Sequence, residues 1–111
     1  MAYPVLQFNN VILNAISMTS TQSGTQDISN SLAFSVQTTW TGTSPVGTLV
    51  ISGSLDNQTW TPISSQAINA NSGNFLFNAD HQAYIAVQVS YVYTSGTGTL
   101  TSRISSKQNG Y

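Results

Sequence analysis

Cysteine is absent from this 111-residue chain, and charged side chains make up only 5% of it. Without cysteine, disulfides, thiol catalysis and cysteine-based metal sites are excluded. A total of two Lys and Arg residues cannot form the basic patch that nucleic acid or an anionic membrane surface requires. Ordinary domains carry about 25% charged residues, and low charge disfavours a free monomer in solution. We therefore expect much of the surface to be covered in an assembly.

Long apolar runs and helical periodicity are also missing. The opening segment MAYPVLQFNN has neither a basic stretch nor an extended apolar core, so we expect no secretory signal. No stretch approaches the roughly 20 apolar residues of a membrane-spanning helix. Ser, Thr, Asn and Gln fill close to half of the chain, but β-branched and aromatic residues are abundant too. This composition favours strands over disorder.

Alternation with a period of two supplies the strongest structural signal. Leu32 to Trp40 alternates cleanly, and in Ala83 to Tyr93 one face is apolar throughout. Turns are predicted at four polar segments, which are Thr19–Gly24, Thr41–Pro45, Asn78–Gln82 and Thr94–Gly98. The pattern predicts an all-β fold, a single jelly-roll-like β-sandwich of seven to nine short antiparallel strands. We expect an extended apolar arm at residues 1–9, the sandwich at residues 10–106 and a tail at residues 107–111.

The segment VGTLVISGSLDNQTWTPI, from Val46 to Ile63, predicts a strand-turn-strand hairpin. Gly47 frees a turn, Gly53 permits close backbone approach, and Asp56 closes the hairpin turn through its side chain. Asn57 tolerates a left-handed turn position, and Trp60 is expected to plug the core beneath the hairpin. The structural glycines Gly96 and Gly98 belong to the predicted turn at Thr94–Gly98.

Catalytic chemistry finds little support in the residues present. His81 is the single histidine and follows Asp80, but no Gly-x-Ser-x-Gly segment supplies a nucleophile. Adjacent residues of a strand point to opposite faces, so the side chains of Asp80 and His81 are badly placed to hydrogen-bond to each other. A glycosidase needs two carboxylates at a defined separation. Asp27, Asp56 and Asp80 fall in three separate segments, so the sequence alone cannot test whether two of them form such a pair. A calcium site at Asp56-Asn57 is a weaker alternative to a plain turn. We expect no catalytic residues, no metal and no cofactor.

Candidate contacts with a partner lie at the aromatic and apolar residues. Tyr84, on the polar face of its strand, is the best candidate for an exposed contact, whereas Trp40 is expected in the core. Residues 1–9 form either a first edge strand or an arm that reaches onto a neighbouring subunit. In the second case Tyr3, Leu6 and Phe8 would contact that subunit.

Two stretches together resemble a recurring kind of small virion protein of tailed bacteriophages. They are FSVQTTWTGTSPVGTLVISGSLDNQTWTPI, from Phe34 to Ile63, and AYIAVQVSYVYTSGTGTLTSRISSKQ, from Ala83 to Gln108. The resemblance implies a non-enzymatic structural protein that decorates, cements or staples the capsid exterior. Its partner would be the major capsid protein or another virion protein, and it would be made in the host cytoplasm. A homo-oligomer, dimer or trimer, is expected because symmetric clustering protects sheet edges.

The hairpin alone is also similar to that of discoidin-type modules. The alternative function is therefore a carbohydrate-binding module on a tail fibre or capsid surface that binds surface glycans. That function requires exposed aromatic rings with polar side chains beside them. Exposure of Trp40 or Trp60 would favour it, and burial of both would count against it.

Overall fold

The computed structural model describes residues 5–29, 31–80 and 83–109, and in these ranges every regular element is a β-strand. The strands are β1 (Val5–Ser17), β2 (Gln22–Asp27), β3 (Ser31–Ser54), β4 (Thr61–Ile68), β5 (Ser72–Asp80) and β6 (Ala86–Asn109). The predicted all-β fold is confirmed. No helix long and apolar enough to cross a membrane occurs among the described residues.

Two strands of 24 residues each, β3 and β6, organise the molecule. They pair antiparallel along nearly their whole length, from Ser31 opposite Gln108 to Ser54 opposite Ala86. The first half of β3 and the second half of β6 are flanked by β5 and β1. The other two halves are flanked by β4 and β2. One continuous sheet thus folds into two four-stranded layers, which we call the first and second layers.

The inner faces of the two layers share one hydrophobic core. The core includes most of the alternating residues predicted from the sequence, with Trp40 7% exposed, but Ile85 and Tyr93 are exposed. Its buried members are Leu13, Met18, Ile28, Phe34, Val36, Trp40, Leu49, Ile51, Ile68, Val87, Val89, Tyr91, Leu100 and Ile104. One polar pair, Thr38 and Ser102, is buried with them. The two residues lie opposite each other, and their hydroxyl oxygens are 2.9 Å apart, within hydrogen-bonding distance. Each hydroxyl therefore satisfies the other inside the core.

The predicted turns at Thr41–Pro45 and Thr94–Gly98 are wrong, because both segments are bends inside β3 and β6. The pairing runs from Thr43 opposite Thr97 to Val46 opposite Ser95 and Gly47 opposite Tyr93. Each strand therefore contributes one extra residue at the bend. Each bend divides its strand, β3 or β6, into two segments, so the six strands make eight straight segments. This explains why the sequence predicts seven to nine strands.

The extra residues matter because they change which residues face the core. Along β3 the buried apolar positions are even up to Trp40 and odd from Leu49 onward. Along β6, after the buried Ala86 at its first position, they are odd from Val87 to Tyr91 and even from Leu100 onward. A bulge of one residue produces this change while the same side of the strand stays inward. Both layers can therefore face one core.

The link between β4 and β5 holds the bend of β3. The Asn71 carbonyl accepts a hydrogen bond from the Gly42 amide at 2.6 Å. The Asn71 side-chain oxygen accepts one from the Ser44 amide at 2.9 Å. Ser44 itself has φ of +50° and faces Gly96, whose φ is +87°. A side chain at Gly96 would collide with the Ser44 carbonyl, so glycine is required there.

Other boundaries also differ from the expectation. β2 begins at Gln22, inside the polar segment predicted as a turn, and β5 continues to Asp80, inside the predicted corner. β2 contains no apolar residue, and in β5 the exposed Leu76 lies between the inward-facing Phe75 and Phe77, so neither strand alternates between apolar and polar residues. Residues 5–9 of the expected arm form the start of β1 and pair with residues 105–109 of β6. Residues 107–109 of the expected tail accordingly lie in β6.

Candidate functional site

The turn between β3 and β4 is closed by the side chain of Asp56. Its Oδ1 accepts hydrogen bonds from the Gln58 amide at 2.9 Å and the Thr59 amide at 2.7 Å. Ser54 donates its hydroxyl to the same oxygen at 2.9 Å, and the Thr59 hydroxyl donates to Oδ2 at 3.0 Å. These donors, the Thr59 and Gln58 amides foremost, hold the pKa of Asp56 far below its usual range. The carboxylate is used to stabilise the turn.

Asn57 has φ of +60°, the left-handed conformation that asparagine tolerates better than most residues. Ser54 adds a second closure, because its hydroxyl oxygen accepts the Asn57 amide at 2.9 Å. The turn is therefore held by side chains from within four residues of Asp56. A calcium ion would have to compete with four donors for the Asp56 oxygens, so the geometry favours a structural turn.

A cleft of about 390 Å³ opens beside this turn. Tyr84 forms one wall, and its ring lies on Gly53, where an added Cβ would stand 2.5 Å from a ring carbon. Leu55, which is 70% exposed, borders the cleft, together with Thr59 and Thr61. An aromatic wall beside hydroxyl groups can stack on a ring and hydrogen-bond to its substituents. The clefts on the outer face of the first layer are smaller, at about 130–170 Å³.

Trp60 does not plug the core, contrary to the expectation. It is half-buried and lies outside the cluster of buried core residues. Pairing between β3 and β4 starts at Gly53 opposite Thr61, so Trp60 lies beyond the paired part of the hairpin. The other tryptophan is held inside. The Trp40 ring nitrogen donates to the Ala70 carbonyl at 3.1 Å.

The remaining predicted glycines lie at the bend. Gly47 is buried in β3, where an added Cβ would stand 2.5 Å from the Val92 carbonyl and 2.7 Å from the Tyr91 ring. The Tyr91 hydroxyl donates to the Val46 carbonyl at 3.2 Å, and burial raises the pKa of that phenol. Gly98 lies in β6 on the other side of the bend. These glycines permit close packing between the two long strands.

Among the predicted partner contacts, only Tyr84 is described with its side chain. Tyr3 lies outside the described residues. The backbones of Leu6 and Phe8 belong to β1, opposite Gln108 and Ser106, but their side chains are outside the described part of the chain. A contact of these three residues with another subunit stays a prediction.

The three carboxylates lie in separate parts of the fold. Asp27 ends β2, and its Oδ1 accepts the Ser29 hydroxyl at 2.6 Å and the Ser29 amide at 2.8 Å, which lowers its pKa. Asp80 ends β5 in the other layer, and Asp56 lies in its turn. His81 is outside the described residues. Within the described residues no group of three His, Asp or Glu side chains is suited to a metal ion.

The outer face of the first layer carries a surface that sequence reasoning missed, which we call the threonine ladder. It consists of three directly opposed pairs, Thr39 with Thr101, Thr41 with Thr99 and Thr43 with Thr97. The signal was present in the sequence as threonine at every second position in residues 39–43 and 97–101. It becomes a surface only because β3 and β6 pair in this register. The ladder presents uncharged donors and acceptors in a fixed grid.

The second row beyond the ladder is polar as well, whereas the row between them has the exposed Val11 and Leu76 at its two ends. Asn9, Ser105, Ser35 and Asn78 stand opposite one another across the four strands of the first layer. The Ser35 hydroxyl donates to the Asn78 side-chain oxygen. Arg103 and Lys107 are exposed on the same face of β6. Two isolated cations among hydroxyl and amide groups make a mostly neutral hydrogen-bonding surface.

No family model matches the sequence, and no curated protein is similar to it at a significant level. The fold is similar to several solved structures. The crystal structure of the SPBc2 prophage-derived protein YomS matches with a TM-score of 0.65 and 15% identity, over 95% of this chain and 97% of that one. The PBSX exported protein XepA matches with a TM-score of 0.59 and 18% identity, over 94% of this chain and 38% of that one.

A CBM4 structure matches with a TM-score of 0.51 and 20% identity, over 79% of this chain and 61% of that one. The chain thus spans nearly the whole length of YomS and less than two thirds of the other two proteins. At these identities the likeness establishes a shared β-sandwich fold, and two of the proteins that share it derive from phage or prophage.

Proposed function

We propose that this chain is a non-enzymatic structural protein of a tailed-bacteriophage particle, which attaches to the exterior of the shell and bridges neighbouring capsid subunits. The observation that carries the proposal is the match with YomS, a prophage-derived protein of nearly the same length and fold. XepA, from another phage-related element, contains the same fold as about a third of its chain. The proposed location is the virion.

The surface chemistry supports attachment by many weak contacts. The threonine ladder offers hydroxyl groups with little charge, which suits hydrogen bonding to a fixed partner surface better than ionic steering. Each contact of this kind contributes about 1 kcal/mol, and many copies on one shell add their effects by multivalency. We therefore assign the shell contact to the ladder.

Cosedimentation with shells that lack this protein tests the proposal. The wild-type chain should pellet with the shells and raise the temperature at which they disrupt. Thr41→Lys places a charge in the ladder and should abolish pelleting. Thr25→Lys is the matched control, because Thr25 is an exposed strand threonine on β2 in the second layer. Failure of the wild-type chain to pellet would overturn the proposal, and equal losses in both variants would overturn the assignment to the ladder.

The cleft beside the Asp56 turn favours a second candidate, carbohydrate binding. Tyr84 and the hydroxyls of Thr59 and Thr61 supply the combination of ring and polar groups that sugar recognition uses, and a CBM4 structure shares the fold. A glycan screen tests it. Binding that is lost in Tyr84→Ala but kept in Tyr93→Ala, whose ring is 38% exposed, would support this function. No bound glycan would eliminate it.

A further inference from the structure

The sandwich has four edge strands, and three of them carry features that hinder pairing with another strand. β2 is only six residues long. It lies beside β1, as shown by the hydrogen bond from Asn10 to Gln26 at 3.3 Å. β1 contains two register shifts, and Ala15 in it has φ of +48°. β4 contains a register shift and Pro62, which has no amide hydrogen to donate. Short, bulged or proline-containing edges resist strand addition.

β5 has none of these features. It runs for nine residues with the sequence SGNFLFNAD, without proline, lysine or arginine. It pairs with β3 without any register shift, from Ala33 opposite Asp80 to Thr41 opposite Ser72. None of the described residues pairs with its other edge. An edge of this length with no register shift, whose one charge is Asp80 at its end, is a template for another strand.

The side chains of β5 indicate what that strand is. Leu76, at the centre of the nine residues, is 57% exposed on the outer face. Phe75 and Phe77 face inward on either side of it and are only half-buried, although both pack against the core. The Phe77 ring already lies 6.0 Å from the Phe34 ring. Apolar groups arranged symmetrically about Leu76 fit a partner with the same arrangement.

We propose that β5 pairs antiparallel with β5 of a second copy of this chain, about a two-fold axis through Leu76. In this register Leu76 stands opposite Leu76 of the partner subunit, and Asn74 opposite Asn78 of the partner subunit. Phe75 stands opposite Phe77 of the partner subunit on the inner face, twice by symmetry, which extends both cores. Asp80, the only charge on the strand, falls opposite Ser72 of the partner subunit, so no like charges meet.

Such a dimer joins two first layers into one eight-stranded sheet and places both threonine ladders on the same side. The interface is isologous, as expected of two-fold dimers. The proposal stands independently of the shell-binding function, because it concerns the free protein. A dimer that ignores shells and a monomer that binds them are distinguishable results.

A single-cysteine variant tests the register directly, since the wild-type chain has no cysteine. Directly opposed Cα atoms in antiparallel strands lie about 4.5–5.5 Å apart, within the roughly 4.4–6.8 Å range of disulfides. Leu76→Cys should therefore give a disulfide-linked dimer on mild oxidation at low protein concentration. Val11→Cys is the matched control, because Val11 is exposed at the other end of the same row, on the bulged edge β1. Equal cross-linking of both variants would contradict the proposal.

Charge variants give a second measurement by analytical ultracentrifugation. The wild-type chain should sediment as a dimer of the 11.8 kDa chain. Leu76→Glu should raise the dissociation constant at least about tenfold, because two carboxylates would face each other across the axis. Leu76→Lys should do the same, and mixing the two variants should restore a dimer. A wild-type monomer, or a dimer unchanged by Leu76→Glu and Leu76→Lys alone, would overturn the proposal.

Discussion

The Asp56 turn and the bend of the two long strands are similar in composition but opposite in structure. Both contain serine and threonine and no long apolar run, and both contain a residue with φ near +50° to +60°, Asn57 in one and Ser44 in the other. The turn satisfies its amides with its own carboxylate and reverses the chain. The bend of β3 takes its hydrogen bonds from Asn71, in the link between β4 and β5, and the strand continues forward. The source of hydrogen-bond partners decides whether such a segment turns or bends.

The largest effect should come from removing Ser44, one of the residues inserted at the bend. Without the inserted residue the second half of β3 turns its core side chains outward. Exposure of Leu49 and Ile51 alone costs about 3–6 kcal/mol, against a total stability of about 5–15 kcal/mol for a domain. We expect loss of the cooperative unfolding transition, measured by circular dichroism on heating.

Removal of Gln58 from the Asp56 turn is the matched control. The pairing of β3 with β4 begins at Gly53 and Thr61, outside the turn, so the strands can keep their register. We expect a cooperative transition at a lower temperature. The contrary result is that the Ser44 deletion also unfolds cooperatively, with the Leu49 and Ile51 amides protected from hydrogen exchange. In that case the inserted residue does not determine which side chains of β3 point into the core.

The same contrast explains which parts of the fold could be predicted from the sequence. Alternation in Phe34 to Trp40 and in Val87 to Tyr91 reports burial on one face, which is a local property, and those core positions are confirmed. Ile85 and Tyr93, predicted on the same face, are exposed because they lie at the start and at the bend of the β6 pairing. Composition at Thr41–Pro45 cannot reveal that β6 pairs with β3 on both sides of it.

The candidate surfaces divide in the same way. The Asp56 turn is local, so its residues could be proposed from an Asp-Asn pair between two short strands. The threonine ladder and the β5 edge depend on the register of β3 with β6 and with β5. The sequence shows which residues they contain, but it does not show which residues lie opposite them on the paired strands. The polar side of its strand predicts that Tyr84 is exposed, whereas in the structure it is half-buried with its ring on Gly53.

The two tryptophans flank the bend and the turn, and they should differ in their effect on stability. Trp40 precedes the bend and is 7% exposed, with its ring packed against Gly73. Trp40→Ala should lower the free energy of unfolding by about 3–5 kcal/mol. Trp60→Ala should lower it by less than half of that, because Trp60 is half-buried outside the core cluster. Urea denaturation of both variants measures the difference.

Fluorescence separates the two rings without relying on stability. Trp40→Phe leaves Trp60 as the only indole, and its emission should be red-shifted and quenched by acrylamide. Trp60→Phe leaves the buried Trp40, with blue-shifted emission that resists quenching. Equal quenching of the two variants would mean that the bend does not shield Trp40 more than the turn shields Trp60.

The smallest effect should come from the charge of Asp56, and it depends on pH. Its pKa in the folded protein lies far below the value of about 3.9 in an unfolded chain. Between these two values the unfolded state binds more protons than the folded state, so stability falls as the pH falls below about 4. Asp56→Asn removes the titrating group, so this variant should lose less stability than the wild-type chain between pH 5 and pH 2. Urea midpoints at each pH measure the slope.

Asp27→Asn tests whether the number of hydrogen-bond donors to a carboxylate determines how strongly stability depends on pH. The Asp27 carboxylate accepts hydrogen bonds from Ser29 alone, whereas the Asp56 carboxylate accepts four, from Ser54, Gln58 and Thr59. Each hydrogen bond to the ionised form lowers the pKa further, so Asp27→Asn should flatten the acid slope less than Asp56→Asn. Equal slopes in the two variants would mean that the four donors bind a neutral Asp56 as well as an ionised one. The turn would then be held by its shape, as the bend is, and not by its charge.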